Sequence, residues 1–286
     1  LKQGRTRTIG FLAPNPTQYL SHPYGMLVLK QLLDVAREKH YRLLIHPDLS
    51  EALDARLVDG CLVLGCPAEC AEVVGVLARQ TPVLTLGREL REVIPGAVHG
   101  EFEGGSWNAI WESAARYLCG LGHRHIALVE ATEESHPRNA FAAFRAEVAR
   151  LEVPATLEFF VNGWRLRRYP TVEALCRLRP LPTAACVFDD DYARALIARL
   201  AVDGRRVPAD VSIFSCQTLA DADDTRPRLT GVDRNAAAAH GEMLRRFIAM
   251  IESGERASEI RVRLEEPRFI VRESCAPPRG AVGAAG

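Results

Sequence analysis

From Thr183 to Ala201 a short apolar run, Ala184-Ala185-Cys186-Val187-Phe188, meets three consecutive acids, Asp189-Asp190-Asp191. A helical pattern follows at once, with Ala193, Leu196, Ile197, Leu200 and Ala201 at helical spacing. An apolar run that short and that rich in small and β-branched residues reads as a strand buried on both faces. Opening at its carboxyl end into acids and then a helix, it is a βα unit of an open parallel sheet. Ligands of such sheets sit outside the carboxyl ends of the strands. Asp189 and Asp190 therefore stand where a ligand would be held.

The same alternation runs along most of the chain. Strands are expected at Ile9 to Ala13, Tyr41 to His46, Gly60 to Leu64, Pro82 to Leu86, Ile126 to Val129, Ala185 to Phe188, Val211 to Ser215 and Ile260 to Leu264. Helical stripes lie between them: Leu29, Leu32, Leu33 and Ala36; then Trp107, Ile110, Trp111, Ala114, Ala115 and Leu118; then Leu244, Phe247, Ile248 and Ile251. Strands separated by helices imply a helix-covered parallel sheet. At 286 residues the chain suits two lobes better than one small core. No internal repeat is evident.

Charge and cysteine usage narrow the function. Lys plus Arg, 36, balances Asp plus Glu, 36, so no positive field holds nucleic acid non-specifically. No apolar run reaches the roughly 18 residues of a membrane span, and the first residues lack the apolar core of a signal peptide, as a processed secreted chain also would. Of the eight cysteines, Cys61, Cys186 and Cys216 lie in or beside apolar strand patterns. Cys66 and Cys70 have no second pair to complete a zinc site. Free thiols in a reducing, cytoplasmic setting are the expectation. Catalysis is not expected, because the acids 189 to 191 have no histidine partner, serine elbow or phosphate-cradling loop beside them. Three adjacent carboxylates on one helix start cannot all face one metal, so neither metal nor cofactor is expected.

Several blocks, in order, carry a resemblance: Gly4-Arg5-Thr6-Arg7-Thr8-Ile9-Gly10, Val58-Asp59-Gly60-Cys61-Leu62-Val63, Leu121-Gly122-His123-Arg124-His125-Ile126-Ala127, and Gly204-Arg205-Arg206-Val207-Pro208-Ala209-Asp210-Val211-Ser212. Pro227-Arg228-Leu229-Thr230 and Val271-Arg272-Glu273-Ser274 close the series. Together they resemble the effector-binding part of the LacI/GalR transcription regulators, over about residues 4 to 275. The resemblance implies a two-lobed periplasmic-binding-protein-like α/β fold, each lobe a parallel sheet flanked by helices. It implies chain crossings near Glu130, Val232 and Arg261. Residues 1–8 would end a hinge, 9–130 with 233–260 would form the N-terminal lobe, and 131–232 with 261–275 the C-terminal lobe. Residues 276–286, poor in apolar bulk, read as a disordered tail. A homodimer is implied, sensing a small, sugar-like ligand in the inter-lobe cleft and touching operator DNA only through a helix-turn-helix head before the hinge. The alternative is the solute-binding receptor of a sugar transporter.

Six residues are matched to ligand positions. Arg138 matches an arginine that usually reaches the ligand, and its fixed fork of donors suits hydroxyls or a carboxylate; the alternative is a solvated first-turn arginine. Asp189 and Asp190 match an Asn-Asp pair, with Asp189 assigned to the ligand and Asp190 to capping the helix. Trp164 offers a flat face to a sugar ring or packs in the core. Tyr24 supplies an aromatic wall, and His22 bonds a ligand or its own loop. Gln217 stands where relatives carry an aspartate for a sugar hydroxyl, which points away from a plain aldose toward a larger, modified or acidic ligand. Glu101, Glu103 and Ser106 remain open for one further element. Trp107 and Trp111, four apart on an apolar stripe, are assigned to the core.

Overall fold

The computed structural model describes residues 4–13, 20, 23–46, 53–64, 70–86, 94, 96–130, 139–161, 170–219 and 225–279. Among these are twelve strands and seven α-helices, divided between two compact units.

The first unit comprises Leu1–Gly104 and Asn235–Glu265. Its strands are β1 (Thr8–Leu12), β2 (Arg42–Ile45), β3 (Gly60–Leu64), β4 (Val83–Leu86), β5 (Val98–Glu103) and β11 (Glu259–Arg263). They lie in the order β2-β1-β3-β4-β5-β11, and every pairing is parallel. Helices α1 (Pro23–Glu38) and α7 (Ala236–Ser253) cover one face, where Ile9, Phe11, Leu32, Leu84, Leu244 and Phe247 form a buried cluster. Helix α2 (Ala71–Ala78) packs on the other, over Leu12, Cys61, Val63 and Val83. The α1 stripe is rotated from the expected one. Val28, Leu32 and Val35 are buried, whereas Leu33 is 48% exposed.

The second unit comprises Gly105–Arg234 and Glu266–Gly286. Its strands are β6 (His125–Glu130), β7 (Thr156–Val161), β8 (Ala184–Val187), β9 (Ser212–Ser215), β10 (Thr230–Asp233) and β12 (Arg268–Ile270). The order is β7-β6-β8-β9-β10-β12, parallel except for the last pair, β10 with β12. Helices α3 (Trp107–Gly120) and α4 (Asn139–Arg150) lie over Ile126, Leu128, Cys186 and Phe214. Helices α5 (Pro170–Arg177) and α6 (Asp190–Val202) lie over Ala127, Val129, Val187 and Ile213. Gly231 is required in β10, because a Cβ there would collide with the Ser215 carbonyl of β9.

In both sheets the order reverses beside the first strand, between β1 and β3 and between β6 and β8. That switch point is where open α/β sheets hold ligands.

The crossings differ from the expected ones. The first lies between Gly104 and Gly105, not near Glu130, because β6 pairs with β7 and β8 inside the second sheet. Strand β5, the last of the first sheet before this crossing, is polar and was not expected from its sequence. The other two fall between Arg234 and Asn235 and between Glu265 and Glu266, a few residues beyond Val232 and Arg261. Gly104, Gly105 and Asn235 all have left-handed backbone, with φ of 85°, 57° and 50°, which glycine and asparagine adopt at least cost.

The described residues nearest each chain end are more firmly held than expected. Asp59 accepts from the Thr6 amide (2.7 Å), the Thr6 hydroxyl (2.9 Å) and the Arg7 amide (3.0 Å), so residues 6 and 7 are tied to the body. Residues 276–279 are not a disordered tail. The Ala276 carbonyl accepts from Ser212 Oγ (2.9 Å) and from His123 Nε2 (3.0 Å), and Arg279 pairs with Asp210 (3.0 Å). Residues 280–286 lie outside the described ones.

Candidate functional site

At the carboxyl edge of the second sheet, β8 ends at Val187 and the chain stays extended through Asp189 (φ −144°, ψ 178°) before α6 begins. Asp189 Oδ1 accepts from the amides of Asp191 and Tyr192, both at 3.1 Å, so Asp189 is the helix cap. This reverses the expected division of labour, in which Asp190 capped. Asp190 instead turns inward and is 5% exposed. Its carboxylate accepts from Ser215 Oγ (2.7 Å), Thr218 Oγ1 (3.1 Å) and the Leu219 amide (3.2 Å). Burial raises its pKa, against the opposing effect of these bonds. Asp190 thus braces the start of α6 against the segment after β9.

Gln217 lies in that braced segment. The backbone on either side is fixed, with the Cys216 amide on Val187 O (2.8 Å) and the Thr218 amide on Val232 O (2.9 Å). Asp189 and Gln217 therefore stand at the ends of adjoining strands, both half-buried. Gln217 presents a neutral amide that both donates and accepts.

Further along the same edge is an aromatic group that the sequence reading assigned to the core. Trp107, the first residue of α3, stacks on Phe188 with centroids 4.8 Å apart and planes inclined by 24°. The Arg234 guanidinium lies over the Trp107 ring at 4.1 Å, and Arg234 also donates to Gly105 O at 3.2 Å. Trp107 is only half-buried, while Trp111 is fully in the core as expected. Glu130, at the end of β6, is 3% exposed, and burial pushes its carboxyl up to about 7. Nothing in the sequence marked Glu130 or Phe188 beyond their place at the ends of apolar runs.

Tyr24 lies in the first unit, in the opening turn of α1, with its ring edge-on to His240 at 6.2 Å. Glu103 pairs with Arg261 at 3.5 Å, Glu101 lies on β5, and Ser106 precedes α3 without a side-chain capping bond. His22, Arg138 and Trp164 lie outside the described residues. Among the described residues no group of three or more His, Cys, Asp or Glu side chains could hold a metal ion, and no helix is long and apolar enough to cross a membrane.

The family described as periplasmic binding protein-like domain matches residues 115–275. The chain is 23% identical to the probable HTH-type transcriptional repressor ExuR of Bacillus subtilis (strain 168), over 96% of this chain and 82% of that protein. It is 25% identical to the HTH-type transcriptional repressor PurR of Pectobacterium atrosepticum, over 81% and 70%. Among solved structures, a LacI family transcriptional regulator from Enterococcus faecium with bound ribose superposes with a TM-score of 0.72 at 21% identity, covering 94% of this chain and 99% of that one.

Proposed function

The chain belongs to the periplasmic binding protein-like domain family, and from that premise we propose that it senses a small polar effector, a sugar or sugar derivative, for a cytoplasmic repressor of the LacI/GalR kind. The observation that carries this reading is the braced carboxyl edge of the second sheet, where Asp190 fixes the segments bearing Asp189 and Gln217. A rigid edge with a half-buried carboxylate and amide at adjoining strand ends is built to bind, since pre-organisation lowers the cost of ordering a site. Arg138, Trp164, Tyr24 and His22 are the further contacts proposed. Asp189 has one oxygen committed to its helix, which limits what it offers a ligand.

The site has no catalytic role in this reading. Effector binding favours one of two arrangements of a homodimer and so alters operator binding by a helix-turn-helix head; its effect is bounded by its differential affinity for the two states. The relatives named above are repressors, which supports a regulator over a transporter's solute receptor.

A thermal-shift screen of sugars and their derivatives tests this. A ligand at 100 times its dissociation constant adds about 2.7 kcal/mol of stability. Arg138→Ala should then cost that ligand roughly 1.5–3 kcal/mol by calorimetry; unchanged affinity would remove Arg138 from the site. Gln217→Asp should weaken the native effector. A plain hexose bound equally well by that variant would show Gln217 to be a tolerated replacement.

A further inference from the structure

Glu130 has a role that the reading above leaves unfilled. It ends β6, beside the point where the strand order of the second sheet reverses. Its Oε1 is buried with no hydrogen-bond partner, and no ion pair holds the carboxylate among the described residues. Burial raises its titration, and no cation among the described residues is seen to counter that rise. Native structures leave few buried polar atoms in this condition, and each one asks what completes it.

Its surroundings suggest what does. The strand period of two puts Glu130 on the same sheet face as Ile126 and Leu128, toward α3. The Phe188 amide donates to Val129 O at 2.9 Å, which sets Phe188 beside Glu130 across the sheet edge. Phe188 carries the stacked Trp107. The arrangement is a buried acid with a vacant acceptor, next to a pair of stacked rings, at the switch point of the sheet.

We propose that Glu130 is a ligand contact receiving an ammonium group, which makes the effector an amine-bearing polar molecule of the amino-sugar class. A hydroxyl would satisfy the vacant oxygen but leave the charge of an ionised carboxylate unanswered. An ammonium supplies donor and charge in one group, in a charge-assisted bond about twice as strong as a neutral one. A ligand carboxylate there would meet like charge. This inference rests on the effector-binding reading and deepens it.

The test uses the whole chain and a matched panel: glucosamine, galactosamine and mannosamine, their parent hexoses, their N-acetyl forms, and glucuronate and galacturonate. Binding is read by calorimetry on the native protein, on Glu130→Gln and on Glu130→Ala, with ligand-free melting curves to show that the variants fold. An amino sugar should bind at least tenfold tighter than its parent hexose and its acetamide. Both variants should lose tenfold or more for the amino sugar and little for the hexose. A hexose or uronate bound at least as tightly as any amino sugar, or an amino sugar bound equally by the variants, overturns the proposal and leaves the effector reading standing. No binding by any member of the panel overturns the proposal as well, and counts against a sugar-type effector.

Discussion

Glu130 and His123 are both buried in the second unit, 3% and 1% exposed, and burial favours the neutral form of each. The carboxyl is pushed up to about 7 from 4.5 and the imidazole down to about 4 from 6.5. For the acid, the folded state binds the extra proton, so its cost is absent below about 4.5 and grows as pH rises toward 7, reaching roughly 3 kcal/mol. For the histidine the unfolded state binds it, so stability falls by a similar roughly 3 kcal/mol as pH drops from 6.5 to 4. Glu130→Gln should therefore melt above the native protein at pH 8 and level with it at pH 4.5. Parallel melting profiles across that range would show the carboxyl to be ordinary. Asp190 and Asp189 provide a second test. Asp190→Ala strands two buried hydroxyls and an amide and should cost roughly 2–4 kcal/mol, whereas Asp189→Ala loses a cap worth about 1 kcal/mol. Urea denaturation that ranked them the other way would restore the cap to Asp190. The sequence could not order this pair. It set the strand at Ala185–Phe188, whereas β8 spans Ala184–Val187, and apolar spacing does not say which of two adjacent acids takes the last extended position before a helix. Glu130 was illegible for a related reason, since an acid ending an apolar run reads as the start of a loop.

Strands buried along their whole length were read most closely, β10 excepted; of the half-exposed ones, β2 and β11 were read to within one residue and β5, β7 and β12 were not read. Gly60–Leu64 was read to the residue, and β1, β4, β6, β8 and β9 to within one, because each is an apolar run that is almost wholly buried. The strands missed were β5, β7, β10 and β12. Val98-His99-Gly100-Glu101-Phe102-Glu103 alternates polar and apolar, and its outer half is partly exposed. β7 and β12 are edge strands with no fully buried residue. β10 contains a glycine that helps its neighbour only by being small. At this scale the clamp of Asp59 on Thr6 and Arg7 is directly testable. Asp59→Ala removes three acceptor contacts, and the amides of residues 6 and 7 should exchange with deuterium much faster while those of β3 stay protected. Equal protection in the variant would mean that Arg7–Glu252, at 2.6 Å, holds the segment without Asp59.

Each unit has its own sheet and its own core, and the chain enters the second unit twice. The antiparallel pair of β10 and β12 sets Asp233 opposite Arg268, so the chain ends left by removing residues 235–265 lie side by side. Joining Arg234 to Glu266 through Asn-Gly should close a hairpin and leave the second unit folded, with a single cooperative urea transition. A molten product would show that the second core needs the first unit. The same layout orders events on the ribosome. The first sheet is begun by β1 but lacks its edge strand β11 and the buried Met243, Leu244, Phe247 and Ile248 of α7 until residue 263 has emerged. The second waits longer still, for β12 and for Ala276 to reach Ser212. At about 5–20 residues per second, neither sheet is complete, nor its apolar face fully covered, until its own last strand has been made.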